Sequence, residues 1–97
     1  MTITGSDVRA LRSMAHHLNP VVQIGKSDVN DAVAQQASEA LNAHELIKCA
    51  VLDTSNLTTR EAANALAEAT GAEVIQVIGH RFSLYRYSEK KGIEHIL

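Results

Sequence analysis

The chain has one cysteine, one proline and no tryptophan in 97 residues, and each scarcity removes a class of answer. A lone Cys49 excludes an internal disulfide and a cysteine-based zinc site. It lies within an apolar run, so it reads as a small core residue in a reducing compartment. Aromatic residues make up only 3%, too few for a recognition surface spread over several aromatic strands. No run approaches the ~20 apolar residues of a membrane span. The opening MTITGSDVRAL lacks the basic start and apolar stretch of a signal peptide, so a cytoplasmic location without membrane contact is expected. Formal net charge is only −2, which by itself points to no polyanionic partner.

What is present is a regular alternation of helical and strand periods. Val8, Leu11, Ala15 and Leu18 share one face of a first helix over 6–18, with Ser6 as its cap and Asn19-Pro20 as its stop. VVQI (21–24) reads as a short strand. From 29 onward Val29, Ala32, Val33, Gln36, Ala37, Ala40 and Leu41 form the stripe of a second helix. LIKCAVL (46–52) is a strand with Ile47, Cys49 and Val51 on one face. Thr58 and Glu61 have the spacing of a capping box opening a third helix, with Ala62, Leu66 and Ala69 as its stripe and Gly71 as its terminator. EVIQVI (73–78) and FSLYRY (82–87) flank a tight turn at Gly79-His80-Arg81. The charged tail over 88–97 is either frayed or docked by Ile96 and Leu97.

These elements describe one α/β domain over 1–97, ordered α-β-α-β-α-β-β, with a four-stranded mixed sheet and packed helices. The strand–helix–strand units imply right-handed crossovers and parallel pairing, and the last strand adds an antiparallel partner. The pattern leaves the strand order open.

The small net charge conceals a segregation. Residues 27–45 carry −4 and 53–73 carry −3, whereas 1–26 and 74–97 each carry +2. Apart from Arg60, the basic residues avoid the second and third helices. If the remaining elements share a surface, the protein has a basic face and an acidic back, the arrangement by which a mildly acidic chain docks on a polyanion.

The stretch QIGKSDVND (23–31) places a glycine and a lysine between a strand and a helix. Three patterns in register, LRSMAHHLNPVVQIGK (11–26), HELIKCAV (44–51) and QVIGHRFSLYR (76–86), resemble the YhbY-like family of single CRM domains, named for chloroplast RNA splicing and ribosome maturation. The resemblance spans about Leu11 to Arg86. It implies a fold similar to the C-terminal domain of translation initiation factor three, with a Gly-x-x-Gly loop likened to that of KH domains. It also implies binding to ribosomal RNA in the large-subunit precursor, with ribosomal proteins as further partners.

In such a loop the glycines let the backbone approach a sugar-phosphate chain, and lysine adds a mobile charge. Gly25, Lys26 and Ser27 match; Asp28 stands where the second glycine belongs. Asp28 or Ser27 is expected to cap the second helix, where a carboxylate would compete with phosphate for the same amides and weaken or remodel the clamp. The other RNA-binding candidates are Arg12, His16, Lys48, Arg81 and Arg86, with Arg12 favoured over Arg9 and Glu45 placed to orient Lys48. Without the resemblance, each is equally well explained as a solvated or core residue. His16 and His17 point about 100° apart on a helix, and no Cys or acidic partner sits at ligand spacing, so no metal is expected. No nucleophile–base pattern is identifiable, and neither a cofactor nor a small-molecule substrate is expected. Two rivals stand: a protein-interaction module using the acidic helices, and a small enzyme of unknown class.

Overall fold

The computed structural model describes residues 3–97. The elements are α1 (Gly5–Ala15), β1 (Pro20–Ile24), α2 (Asp31–His44), β2 (Leu46–Val51), α3 (Thr59–Thr70), β3 (Glu73–Ile78) and β4 (Arg81–Tyr85). The order matches the periodicities, with differences at the ends. Thr4, not Ser6, caps α1: its hydroxyl accepts from Asp7 N–H while the Asp7 carboxylate accepts from Thr4 N–H. The helix ends at Ala15 rather than 18. α3 opens on the expected Thr58–Glu61 capping box and closes on Gly71, whose φ of 72° is the left-handed geometry a glycine tolerates.

The four strands run in the order β1-β2-β4-β3. β1 and β2 pair in parallel, and β4 is antiparallel to both β2 and β3. β4 therefore inserts between the two strands joined by α3. Burial gives the reason: four of its five residues are buried, whereas β3 exposes Glu73 and Ile78 and can afford an edge. The two-residue Gly79-His80 turn, with Gly79 at φ 58°, returns the chain into that slot.

Helices cover both faces. α2 and α3 bury Ala37, Leu41, Ala62, Ala63 and Leu66 against Val22, Ile24, Ile47, Cys49, Val51, Phe82 and Leu84. On the other face α1 buries Leu11 and Ala15 against Leu46, Ile75 and Tyr85. Ala69, expected on the α3 stripe, is exposed; Ala63, Ala67 and Thr70 face inward in its place.

Both outer strands are bulged. The β1 register shifts between Pro20 and Val22, and the β3 register between Val74 and Gln76. In each case a side chain occupies the carbonyl of the intervening residue: Gln36 Nε2 donates to Val21 O at 3.1 Å, and Arg12 Nε to Ile75 O at 3.0 Å. Such bulges interrupt an edge ladder and re-aim the side chains beside them.

The tail is docked, by Ile96 rather than Leu97. Ile96 packs on the α1 cluster, while Leu97 stays 41% exposed. Its anchor is Glu45, fully buried just past α2 at φ 64°. That carboxylate accepts from Ser88 N–H at 2.7 Å and Ile96 N–H at 3.0 Å, and His95 Nδ1 lies 2.7 Å away. The His95 ring also stacks on Tyr87, with centroids 4.4 Å apart. Glu45 is thus committed to the tail and does not orient Lys48.

Candidate nucleic-acid interface

Because β1, β2 and β3 all run the same way, the loops that follow them gather at one end of the sheet. This is the end at which open α/β sheets commonly bind ligands. Leu52 N–H donates to Ile24 O at 2.8 Å and Val51 N–H to His80 O at 2.7 Å, holding the three loops side by side.

The loop after β1 begins with a turn in which Asp28 N–H donates to Gly25 O at 2.9 Å. A Cβ on Gly25 would lie 3.2 Å from Thr54 Oγ1 and 3.5 Å from Leu52 Cδ1. Glycine is therefore fitted here to its neighbouring loop, before any ligand is considered. Lys26 and Ser27 project as exposed residues.

The expectation for Asp28 is corrected. The cap of α2 is Asn30, whose Oδ1 accepts from Val33 N–H at 2.9 Å. Neither Ser27 nor Asp28 fills that role, because two residues separate Asp28 from the helix start. Asp28 instead turns away: its Oδ1 accepts from Ser55 Oγ at 2.9 Å and from Asn56 N–H at 3.0 Å. The Ser55 and Asn56 bonds hold its carboxyl below the usual carboxylate range. Its φ of 52° is the left-handed conformation that glycine adopts freely and aspartate tolerates. Asp28 thus keeps the backbone shape of a second glycine, and its charge does not sit on the α2 amides.

On the α1 side of the sheet, Lys48 lies opposite Ser83, and Ser83 opposite Gln76. Gln76 joins this row because of the β3 bulge. His16, just past α1, and Arg81, at the start of β4, close the row into a shallow cavity of about 170 Å³. Across Gln76 and Ile78 the surface continues to Arg12 and Arg60. Arg60 is the residue that segment charges set aside: it sits in an acidic helix, but the first turn of α3 brings it to the β3 edge. Among the described residues no Lys or Arg lies in a salt bridge with a carboxylate; the single ion pair joins His95 and Glu45. The basic groups of this face are therefore not neutralised by the chain itself.

Arg86 lies apart from this row. Nη1 donates to Thr70 O at 2.6 Å, and Nη2 donates to Ser38 O at 2.9 Å and Asn42 Oδ1 at 2.8 Å. Its guanidinium joins α2 to the end of α3, with both Nη groups engaged within the protein. The structure so brings together His16, Lys48 and Arg81, with Arg12 and Arg60 alongside, and sets Gly25–Asp28 on the loop end of the same sheet.

Comparison with known proteins bears on the fold and the family. Residues 3–86 match the CRS1 / YhbY (CRM) domain. The chain is 44% identical to "Probable RNA-binding protein YqeI" of Bacillus subtilis over 95% of its own length and 97% of the relative's. It is 39% identical to an "RNA-binding protein" of Haemophilus influenzae, covering 96% and 94% respectively. A solution structure from Staphylococcus aureus superposes with a TM-score of 0.75 at 39% identity, over 96% of this chain and 98% of that one. The element order, the mixed four-stranded sheet and these matches agree, and the chain belongs to the CRS1/YhbY (CRM) domain family.

Proposed function

We propose that this protein binds RNA without catalysing a reaction, and that it acts on ribosomal RNA in assembly of the large ribosomal subunit. The observation that carries the reading is the cationic row of Lys48 and Arg81 beside His16, extended by Arg12 and Arg60, in which no Lys or Arg has a carboxylate partner. The names of the relatives support it. Backbone-dominated binding fits best, because phosphate contacts need unpaired cations, whereas base reading across a sheet needs exposed aromatics. Here Phe82 and Tyr85 are buried, and the one exposed aromatic, Tyr87, already stacks on His95 with one face. Lys26 adds a charge at the loop end, beside a backbone whose shape Gly25 and Asp28 set.

The test is RNA affinity over a salt series. Each phosphate contact removed lowers the magnitude of the negative slope of log K against log salt by about 0.7 for single strands and about 0.9 for duplexes. Lys26→Ala, Lys48→Ala and Arg81→Ala are each expected to lower it by that step and to weaken binding across unrelated sequences. Unchanged slopes in all three would remove this face from the RNA. The ribosomal assignment is read separately, from co-sedimentation with large-subunit precursors that ribonuclease abolishes. A second reading rests on exposed Asp31, Glu39, Glu61 and Glu68 of α2 and α3, which suit a basic protein partner. Precursor association that survives ribonuclease would favour it.

A further inference from the structure

Beside the cationic row lies a cavity of different character. Met14 and Leu18 from the α1 side, Val21 from β1, Leu46 from β2 and Ile96 from the tail enclose about 390 Å³ with largely apolar walls. Val21 remains 48% exposed at its mouth. The polar groups present are Asn19, His44 and Lys48, and no carboxylate lines it. Lys48 belongs both to this cavity and to the one formed with His16 and Arg81.

We propose that this cavity receives an unstacked nucleobase of the RNA strand whose phosphate contacts Lys48. The inference rests on the RNA-binding reading above and adds a base site to a phosphate track. A nucleobase has apolar faces and a polar edge, which suits apolar walls with an amide and an imidazole at the rim. A ligand joining this cavity to the neighbouring one at Lys48 suits the site best if it carries negative charge next to an apolar group, as a nucleotide does. The acid-free lining and the continuity with the cationic row favour a polyanion over an apolar protein side chain. Glu45 enters as a positioning residue, since its bond to Ile96 N–H holds the wall contributed by the tail.

The experiment compares a short oligouridylate with versions lacking one base at a time, observing protein methyl and amide resonances. The expected result is that Met14, Leu18, Val21 and Ile96 methyls shift with the intact strand. These shifts vanish when one position is abasic, with a loss of affinity of about 5- to 30-fold at that position, from the apolar surface the base no longer buries. Lys26 and Arg81 amides should respond to both strands. Val21→Ala, at an exposed position, should narrow the intact-to-abasic ratio. Equal affinities, with Lys26 and Arg81 responding but the methyls silent, would overturn the base site and leave RNA binding standing. Methyl shifts seen only with a leucine-rich peptide would assign the cavity to a protein side chain and overturn it too. No response at Lys26 or Arg81 to any strand would overturn the RNA reading and this inference together.

Discussion

The Asp28 carboxylate accepts a hydrogen bond from the Ser55 hydroxyl at 2.9 Å, tying the loop after β1 to the loop after β2. Ser55 Oγ in turn accepts from Leu57 N–H at 3.1 Å, so the second loop is ordered through the same contact. Asp28→Gly should lose this tie but keep the left-handed backbone. Asp28→Ala should lose both and unfold at lower urea than Asp28→Gly. Faster hydrogen exchange at Asn56 in both variants would report the loosened loop. Equal urea midpoints for the two would contradict a backbone role at φ 52°. Asn30→Ala should cost about 1 kcal/mol through the lost α2 cap.

Arg86 and Arg81 should separate stability from binding. Arg86 donates to four acceptors on two helices, the backbone carbonyls of Thr70 and Ser38, the Ser38 hydroxyl and the Asn42 side-chain oxygen, and even lysine cannot span that set. Arg86→Lys is expected to cost about 2 kcal/mol in urea unfolding. Arg81→Lys, at the exposed start of β4, should leave the stability within about 0.5 kcal/mol. Arg86→Lys with unaltered stability would show that the α2–α3 link is not needed.

Tail docking should depend on acid. Burial pushes the Glu45 carboxyl up, but the bonds from Ser88 N–H, His95 and Ile96 N–H outweigh it and hold the group below its ordinary value of 4.5. A depressed carboxyl contributes stability that is complete above the unfolded value and is lost as pH falls through the folded one. Protection of the Ser88 and Ile96 amides should therefore hold at neutral pH and decline progressively below about 4.5. Glu45→Ala should remove it at every pH and cost about 1–3 kcal/mol by leaving buried donors unmade. Unaltered protection in that variant would sink the account of the anchor.

Cys49 is fully buried, and burial pushes its thiol up to about 12. A thiol so placed has almost no thiolate at pH 8 and no access for reagent. Alkylation by iodoacetamide should be slow in the native protein and should accelerate in step with urea unfolding. Fast labelling before the unfolding transition would show that the β2 core opens locally.

Much of the fold is legible in the pattern because its causes are local. The Thr58–Glu61 box, the Gly71 stop and the alternation of Ile47, Cys49 and Val51 are each decided within a few residues. What escaped depends on distant partners. Asp28 resembles a helix cap until Ser55 and Asn56 are placed beside it, and Arg86 resembles a surface cation until Ser38, Asn42 and Thr70 surround it. Glu45 sits next to a strand in the sequence but belongs to a tail some fifty residues on. The pattern left the strand order open, and only the sheet shows β4 at its centre, with Phe82 and Leu84 buried on one face and Tyr85 on the other. For the interface, the basic residues were countable but their grouping was not, since it takes the β3 bulge to carry Gln76 into line with Lys48.

The capped bulges on both outer strands bear on behaviour at high local concentration. An incoming strand would meet a shifted register at Val21 and again at Ile75, with each carbonyl already claimed by Gln36 or Arg12. Neither flank offers an unbroken ladder for a second copy to extend. A second copy would consequently gain no continuous backbone pairing by adding its own strand to either edge of this sheet.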